Sequence, residues 1–325
     1  MERTITTPFG YLASRVTLGP RALRWGTTAA LVVSIFLVFS GGVVRVTGSG
    51  LGCPTWPACD ATSLTTTPAL GIHGLIEFGN RSMTGLLILA VGWAIVAARL
   101  QRPRNRPLTR LAWSQFWLVV ANAIAGGISV LTGLNPYVVA LHFLMAIALL
   151  TTTTLTWHRA RETAPQAPLP RLSGPSVALS WALVACTIVL IAVGTLVSGS
   201  GPHSGDSAEV PRMGFVWADV TILHGILGAA TIVIAVALWL SLRGSAQAAL
   251  ARRRVVFFVV VALVQAAIGL VQSLTGIPGG LVAIHLLGSA LVWVGAIRVV
   301  LEVNPRLFST LQAAPASAAV NPVVA

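Results

Sequence analysis

Eight long, nearly uncharged apolar runs alternate with short polar or basic connections along this chain, covering residues 25–44, 70–98, 111–131, 137–157, 177–197, 220–242, 255–274 and 280–301. About twenty such residues let a helix cross bilayer hydrocarbon, so the pattern predicts an all-α integral membrane protein with eight transmembrane helices, here spans 1 to 8. The first run follows Arg15, Arg21 and Arg24 as the apolar core of a signal peptide would. It is too long for one and no small-residue cleavage motif follows, so it reads as span 1.

Composition narrows the class further. The chain is 55% hydrophobic and 9% charged, against roughly a quarter charged in soluble domains. That excludes a soluble enzyme and a nucleic-acid binder. The net charge of +13 comes from arginine, with no lysine, and on a membrane protein it signals orientation before it signals a polyanionic partner. Arg99, Arg102, Arg104, Arg106 and Arg110 lie between spans 2 and 3, Arg159, Arg161 and Arg171 between 4 and 5, and Arg243, Arg252, Arg253 and Arg254 between 6 and 7. The opposite loops hold only Arg45 and Arg212, so both termini are expected on the cytoplasmic side of a bacterial plasma membrane. The expected organisation is a cytoplasmic segment 1–24, an N-terminal four-helix half 25–157, a cytoplasmic linker 158–175, a C-terminal four-helix half 176–301, and a disordered tail 302–325 rich in Ala, Pro and Ser.

The halves repeat each other. Gly48-Ser49-Gly50 recurs as Gly199-Ser200-Gly201 and His73-Gly74 as His224-Gly225, 151 residues on. Spans 3 and 4 match spans 7 and 8 at an offset of 143, through Asn122 with Gln265, Gly126 with Gly269, Leu131-Thr132-Gly133 with Leu274-Thr275-Gly276, and His142 with His285. Units of four helices share orientation, which predicts two parallel-repeat four-helix bundles.

His73, His142, His224 and His285 fall near the outer ends of spans 2, 4, 6 and 8. A histidine inside a bilayer segment faces the bundle interior and finds a partner, by hydrogen bonding across helices or by ligation. Two imidazoles from facing helices of a four-helix bundle suit bis-axial coordination of heme iron. His158 and His203 lack such a pairing and read as surface residues. Only the first half adds ionisable groups beside this histidine, the matching stretch after His224 having none: His73, Glu77, Asn80 and Arg81 share one side of span 2, with Glu77 and Arg81 an i,i+4 pair. The pair is either catalytic equipment or mutual neutralisation of two buried charges. In the outer loop that follows span 1, Cys53 and Cys59 flank Pro54 and Pro57. That compartment is oxidising and two further zinc ligands are missing nearby, which favours a disulfide, structural or redox-active. Cys186 in span 5 reads as packing.

The run Gly41-Gly42-Val43-Val44-Arg45-Val46-Thr47-Gly48-Ser49-Gly50-Leu51-Gly52-Cys53, the following Trp56-Pro57-Ala58-Cys59, and Glu77-Phe78-Gly79-Asn80-Arg81 together resemble the heme A synthase family of cytochrome oxidase assembly proteins. The resemblance implies oxidation of one methyl group of heme O to a formyl group, with water as oxygen source, giving heme A for terminal oxidases. It also implies a substrate porphyrin in the N-terminal half and a heme b cofactor on His224 and His285. Many members of that family carry histidine three residues after the glutamate, where this chain has Asn80; His73, two turns away on nearly the same face, is the candidate replacement ligand, while a repeat offset of 144 aligns Asn80 with His224 instead. The cysteine pair that some relatives carry in the second outer loop is absent from 198–217.

On this reading Glu77 acts at the reacting methyl group, Arg45 and Arg81 hold propionates with Asn80 beside them, and four histidines supply iron ligands. Expected partners are heme O and its synthase, an unidentified electron acceptor and the lipid bilayer, with a homo-oligomer left open. The rival readings are a bis-histidine electron carrier, which needs no one-sided Glu77 and Arg81, and a parallel-repeat transporter, which needs helix breaks in mid-membrane.

Overall fold

The computed structural model describes residues 7–162, 172–203, 205–207 and 209–305. The expected linker and tail fall largely on 163–171 and 306–325, outside the described residues. Nine helices of a turn and a half or more occur among the described residues: α1 (Pro8–Arg15), α2 (Pro20–Val46), α3 (Gly71–Arg99), α4 (Arg106–Leu131), α5 (Pro136–Arg159), α6 (Gly174–Ser200), α7 (Trp217–Ser241), α8 (Ala249–Leu274) and α9 (Gly279–Val303). The eight from α2 to α9 are long and apolar enough to cross a membrane. Several outrun their apolar stretches, and where arginines lie at a helix end, as Arg21 and Arg24 do in α2 and Arg106 and Arg110 in α4, the helix continues toward the headgroup layer while their heads stay in water.

Sequence patterning misses α1. Thr7 caps it by accepting from the Gly10 amide at 3.1 Å, and Pro8 supplies a preset first helical residue. Phe9 then packs edge-on against Trp113 of α4, with ring centroids 6.2 Å apart. Eight residues, about two turns, are too few to show a period.

Helix pairing is the same in the two halves. In the first, α2 packs on α3, α3 on α4, α4 on α5 and α5 back on α2; in the second, α6, α7, α8 and α9 close the same ring. The halves meet where α9 packs on α2 and α5, and where α5 packs on α6. Each half has its own apolar cluster, around Leu87, Val91 and Val119 in one and Leu238, Val255 and Phe258 in the other. A third cluster, with Leu31, Ile147, Leu150, Ile191 and Trp293, fills the seam. Lipid is as apolar as these side chains, so close packing and interhelical hydrogen bonds hold the bundle. Gln115 donates to Thr156 (2.5 Å), Trp293 to Thr151 (2.9 Å) and Asn304 to Ser180 (3.0 Å). Large apolar residues such as Trp25, 75% exposed, face outward, as a lipid-solvated surface allows.

The repeat is also visible in backbone conformation. After α4, Gly133 and Leu134 are both left-handed (φ 58° each), and after α8, Gly276 and Ile277 repeat the turn (φ 74° and 59°). In both, the second residue's amide returns to a carbonyl five positions back, Leu134 to Ser129 and Ile277 to Gln272, closing the helix end. Between the halves, Ser49 and Asp206 form an isolated bridge, Gly50 donates to the Gly205 carbonyl (2.7 Å), and the Leu51 amide donates to Asp206 Oδ2 (2.9 Å). The two outer loops are thereby laced together.

Candidate functional site

In the C-terminal half, His224 of α7 and His285 of α9 face each other across the ring, with imidazole centroids 6.3 Å apart and planes at 64°. Two imidazoles bonded to one metal at about 2 Å each put their centroids on the order of 6 Å apart. His224 Nδ1 lies 3.2 Å from the Leu190 carbonyl, which as a carbonyl accepts the ring N–H and so leaves Nε2 as the basic nitrogen. His285 Nδ1 is buried without a hydrogen-bond partner among the described residues. Glycines stand against both rings: a Cβ on Gly194 would come within 3.1 Å of His224, and one on Gly269 within 3.4 Å of His285. The donor set and the room beside it fit an iron porphyrin. No three His, Cys, Asp or Glu side chains converge into a metal cage among the described residues, so the histidines act singly or in pairs.

The N-terminal half is built differently. His142 of α5 repeats His285: Gly126 approaches it as Gly269 approaches His285, and its Nδ1 is likewise buried without a partner. His73 does not repeat His224. Helices α4 and α8 start and end 143 residues apart, while α3 and α7 centre on residues 85 and 229, 144 apart. In that register Asn80 stands where His224 stands. Asn80 accepts from Ser40 on α2 (2.6 Å), and His224 contacts the Leu190 carbonyl on α6. His73 lies about 10 Å further out along α3, in its first turn, with Nδ1 3.0 Å from Ser49 Oγ.

Glu77 is 4% exposed, and both carboxylate oxygens are engaged. Oε2 accepts from the Cys53 amide at 2.6 Å, and Oε1 accepts from Arg81 Nη2 at 2.6 Å and Nε at 3.1 Å. A lone charge at this depth costs about 2.5–3.5 kcal/mol, which the ion pair offsets. The rest of the Arg81 fork holds the outer loop: Nη2 donates to the Cys53 carbonyl (2.9 Å), and Nη1 to the carbonyls of Thr55 (3.0 Å) and Ala58 (3.1 Å). Cys53 and Cys59 are joined in a disulfide that closes this loop. All five guanidinium N–H groups have acceptors, so in this arrangement Arg81 orients Glu77 and the loop and has no donor left for a propionate. Trp56, from the same loop, lies against the backbone of α4 at Gly127, next to the glycine facing His142. Glu77, Arg81, the disulfide loop and the His142 face of α4 thus share one mouth.

Arg45 stands apart from that group. Its Nη2 donates across the seam to the Ser198 carbonyl of α6 (2.5 Å), and its Nε is buried and unpartnered, a donor still available to an anion. Two histidines read as surface residues are half-buried instead: His203 Nε2 contacts the Ile277 carbonyl at 2.9 Å, and His158 sits among arginines. Cys186 packs as expected, with Sγ 3.3 Å from Thr231 Oγ1. Sequence reasoning used Ser49 only as part of the repeated Gly-Ser-Gly motif, and passed over Arg298, a charge inside the last apolar run.

The sequence profile of the COX15-CtaA family, described as cytochrome oxidase assembly protein, matches residues 24–297. The chain belongs to this family. Among proteins named heme A synthase, that of Staphylococcus saprophyticus is 31% identical over 122 residues, 37% of this chain and 40% of that protein. The Staphylococcus epidermidis protein is 24% identical over 233 residues, 63% of this chain and 75% of its own length. The Lysinibacillus sphaericus protein is 31% identical over 126 residues, 38% and 40% respectively. The chain therefore spans about two fifths of the first and third of these relatives and three quarters of the second. The chain is thus a member of the cytochrome oxidase assembly protein family with eight helices long and apolar enough to cross a membrane.

Proposed function

We propose that this chain is a heme A synthase that oxidises a methyl group of heme O to a formyl group, taking the oxygen from water. The observation that carries the reading is the one-sided carboxylate. At the offset of 144, Glu77 corresponds to Thr221, which only bonds back to the Trp217 carbonyl of its own helix (2.7 Å), and Arg81 to Gly225. A bundle that merely held hemes would not need to bury a charge pair in one copy alone.

His224 and His285 would hold a heme b, whose iron, when bound, supplies the one-electron chemistry that side chains lack. His142 is the N-terminal ligand candidate for the substrate porphyrin, with His73 the second imidazole on that side and Asn80 facing the space between. Arg45 presents its free Nε to a propionate carboxylate. Glu77 positions water and accepts a proton from it as the alcohol forms and, once that proton has passed on, again as a second two-electron oxidation gives the hydrate, which then loses water to leave the aldehyde. Arg81 is a positioning residue that keeps the Glu77 carboxylate aimed. Electrons leave to an acceptor of unassigned identity. The arginine-rich loops support a topology with both termini on the cytoplasmic side of a bacterial plasma membrane, and heme O synthase is the expected donor of substrate.

The test is expression in a host that makes heme O and lacks its own heme A synthase, followed by mass analysis of extracted hemes. Heme A in the extract is the expected result. Heme b as the sole pigment, or heme O unconverted, would return the chain to the electron-carrier reading.

A further inference from the structure

A second group of buried cations lies at the other end of the bundle. Trp157, near the end of α5, is clasped by two guanidinium groups, with Arg161 Cζ 4.2 Å and Arg298 Cζ of α9 4.7 Å from the ring centroid. The next residue, His158, lies in the field of Arg298, Arg159 and Arg254, and the charged neighbours of Arg298 are Arg254, Glu302 and Arg161. Glu302 reaches Arg254 at 3.6 Å, beyond hydrogen-bond distance. Glu162, beside Arg161, is already engaged. Arg161 spends its fork on α2 and its own helix, donating to Thr28 Oγ1 (2.5 Å) and to the carbonyls of Arg24 (3.2 Å) and Trp157 (2.9 Å).

The remaining three arginines do not. The Nε atoms of Arg159 and Arg298 are buried and without a hydrogen-bond partner among the described residues, and that of Arg254 has only the long ion pair to Glu302 Oε1. Three converging guanidinium groups from α5, α8 and α9, facing one carboxylate, repel one another in a half-buried setting and leave directed donors unspent. An anion with several acceptor oxygens resolves both costs, and the planar fork of arginine matches phosphate oxygens well. His158 lies sixteen residues from His142 on one helix, about 24 Å along its axis, so this group is separate from the histidine sites. The arginine-rich loops put it at the level of the anionic leaflet.

We propose that Arg159, Arg254 and Arg298 bind a phosphate-type anion, the phosphodiester headgroup of an anionic lipid or free phosphate, and that this anion ties α5 to α8 and α9 across the seam between the halves. The experiment uses the full-length protein in nanodiscs of phosphatidylcholine with phosphatidylglycerol. Native mass spectrometry reads the lipid retained, and thermal unfolding in detergent reads stabilisation by inorganic phosphate. The wild type should retain phosphatidylglycerol over phosphatidylcholine, and Arg159→Gln and Arg254→Gln should each cut that retention at least fivefold. Arg110→Gln, an exposed arginine on α4, should not. Retention that survives millimolar phosphate assigns the site to the headgroup. Phosphate stabilisation without lipid preference, lost in the same two variants, assigns it to the free anion. Arg298→Gln also unclasps Trp157, so the test rests on the other two variants, with helical circular dichroism verifying their fold. Equal retention of both lipids with no phosphate stabilisation, or equal loss in Arg110→Gln, overturns the proposal.

Discussion

His224 on α7 and His285 on α9 hold their imidazole rings 6.3 Å apart, at 64°, across the C-terminal bundle. Both helices belong to one closed ring of four, so the spacing is set by the packing of α6 and α8 between them. Replacing either histidine by alanine should remove the low-spin heme signal of this half while the helices stay folded. The optical spectrum of the purified protein measures it, and an unchanged signal in both variants would remove these two residues as ligands.

Glu77→Gln keeps the shape and a hydrogen-bonding terminus but loses the charge. We expect heme binding largely intact and heme A formation abolished, read by chromatography of extracted hemes; full activity in this variant ends the catalytic role. Glu77→Ala goes further, because it strands Arg81 in a half-buried site. Breaking a buried ion pair costs about 3–5 kcal/mol, so this variant should unfold at clearly lower temperature than Glu77→Gln.

Asn80 occupies the position of His224 in the repeat register, and it already sits within reach of Ser40. Asn80→His should therefore supply an imidazole opposite His142 and raise the low-spin heme content of the N-terminal half, seen by electron paramagnetic resonance. His73→Ala tests the other candidate. If His73→Ala removes an N-terminal low-spin signal and Asn80→His adds none, the register assignment is wrong.

The disulfide closes the loop whose backbone holds Glu77 and Arg81, through the Cys53 amide and the carbonyls of Cys53, Thr55 and Ala58. A ring this small stabilises by about 2 kcal/mol. Cys53→Ser with Cys59→Ser should lower activity by more than it lowers stability, because the carboxylate loses its aim before the bundle loses its core. Parallel losses of activity and melting temperature would limit the disulfide to bracing the fold.

Asp60 gives the same loop a pH limit. The Thr62 amide (2.7 Å) and hydroxyl (2.8 Å), with lesser help from Ser63 and Thr67, hold its carboxyl below the ordinary carboxylate range. A depressed folded pKa adds stability above the unfolded value, near about 4, and that contribution disappears as pH falls through the folded value. Amide exchange at Thr62 and Ser63 should therefore be steady from neutral pH down to about pH 4 and accelerate below it, relative to intrinsic rates. Asp60→Asn should flatten that dependence.

Much of this protein follows from composition and period alone. Eight spans, the duplication, the paired histidines and the one-sided Glu77 and Arg81 were legible because hydrocarbon thickness fixes run length and because buried ionisable groups in a membrane are too costly to be incidental. The pairing of Cys53 with Cys59 followed from their nearness in sequence. What tertiary structure decided was register and direction. Along the sequence a motif match aligned His73 with His224 and an offset of 144 aligned Asn80 with it; the helix centres favour the second, since a helix takes its depth from its own start and its neighbours and the connecting loops differ in length. Arg81 faces loop carbonyls, Arg45 reaches the other half, and three arginines from separate helices meet beside His158. None of these follows from spacing along one helix, because each depends on which carbonyl or charge another segment brings within a few ångströms.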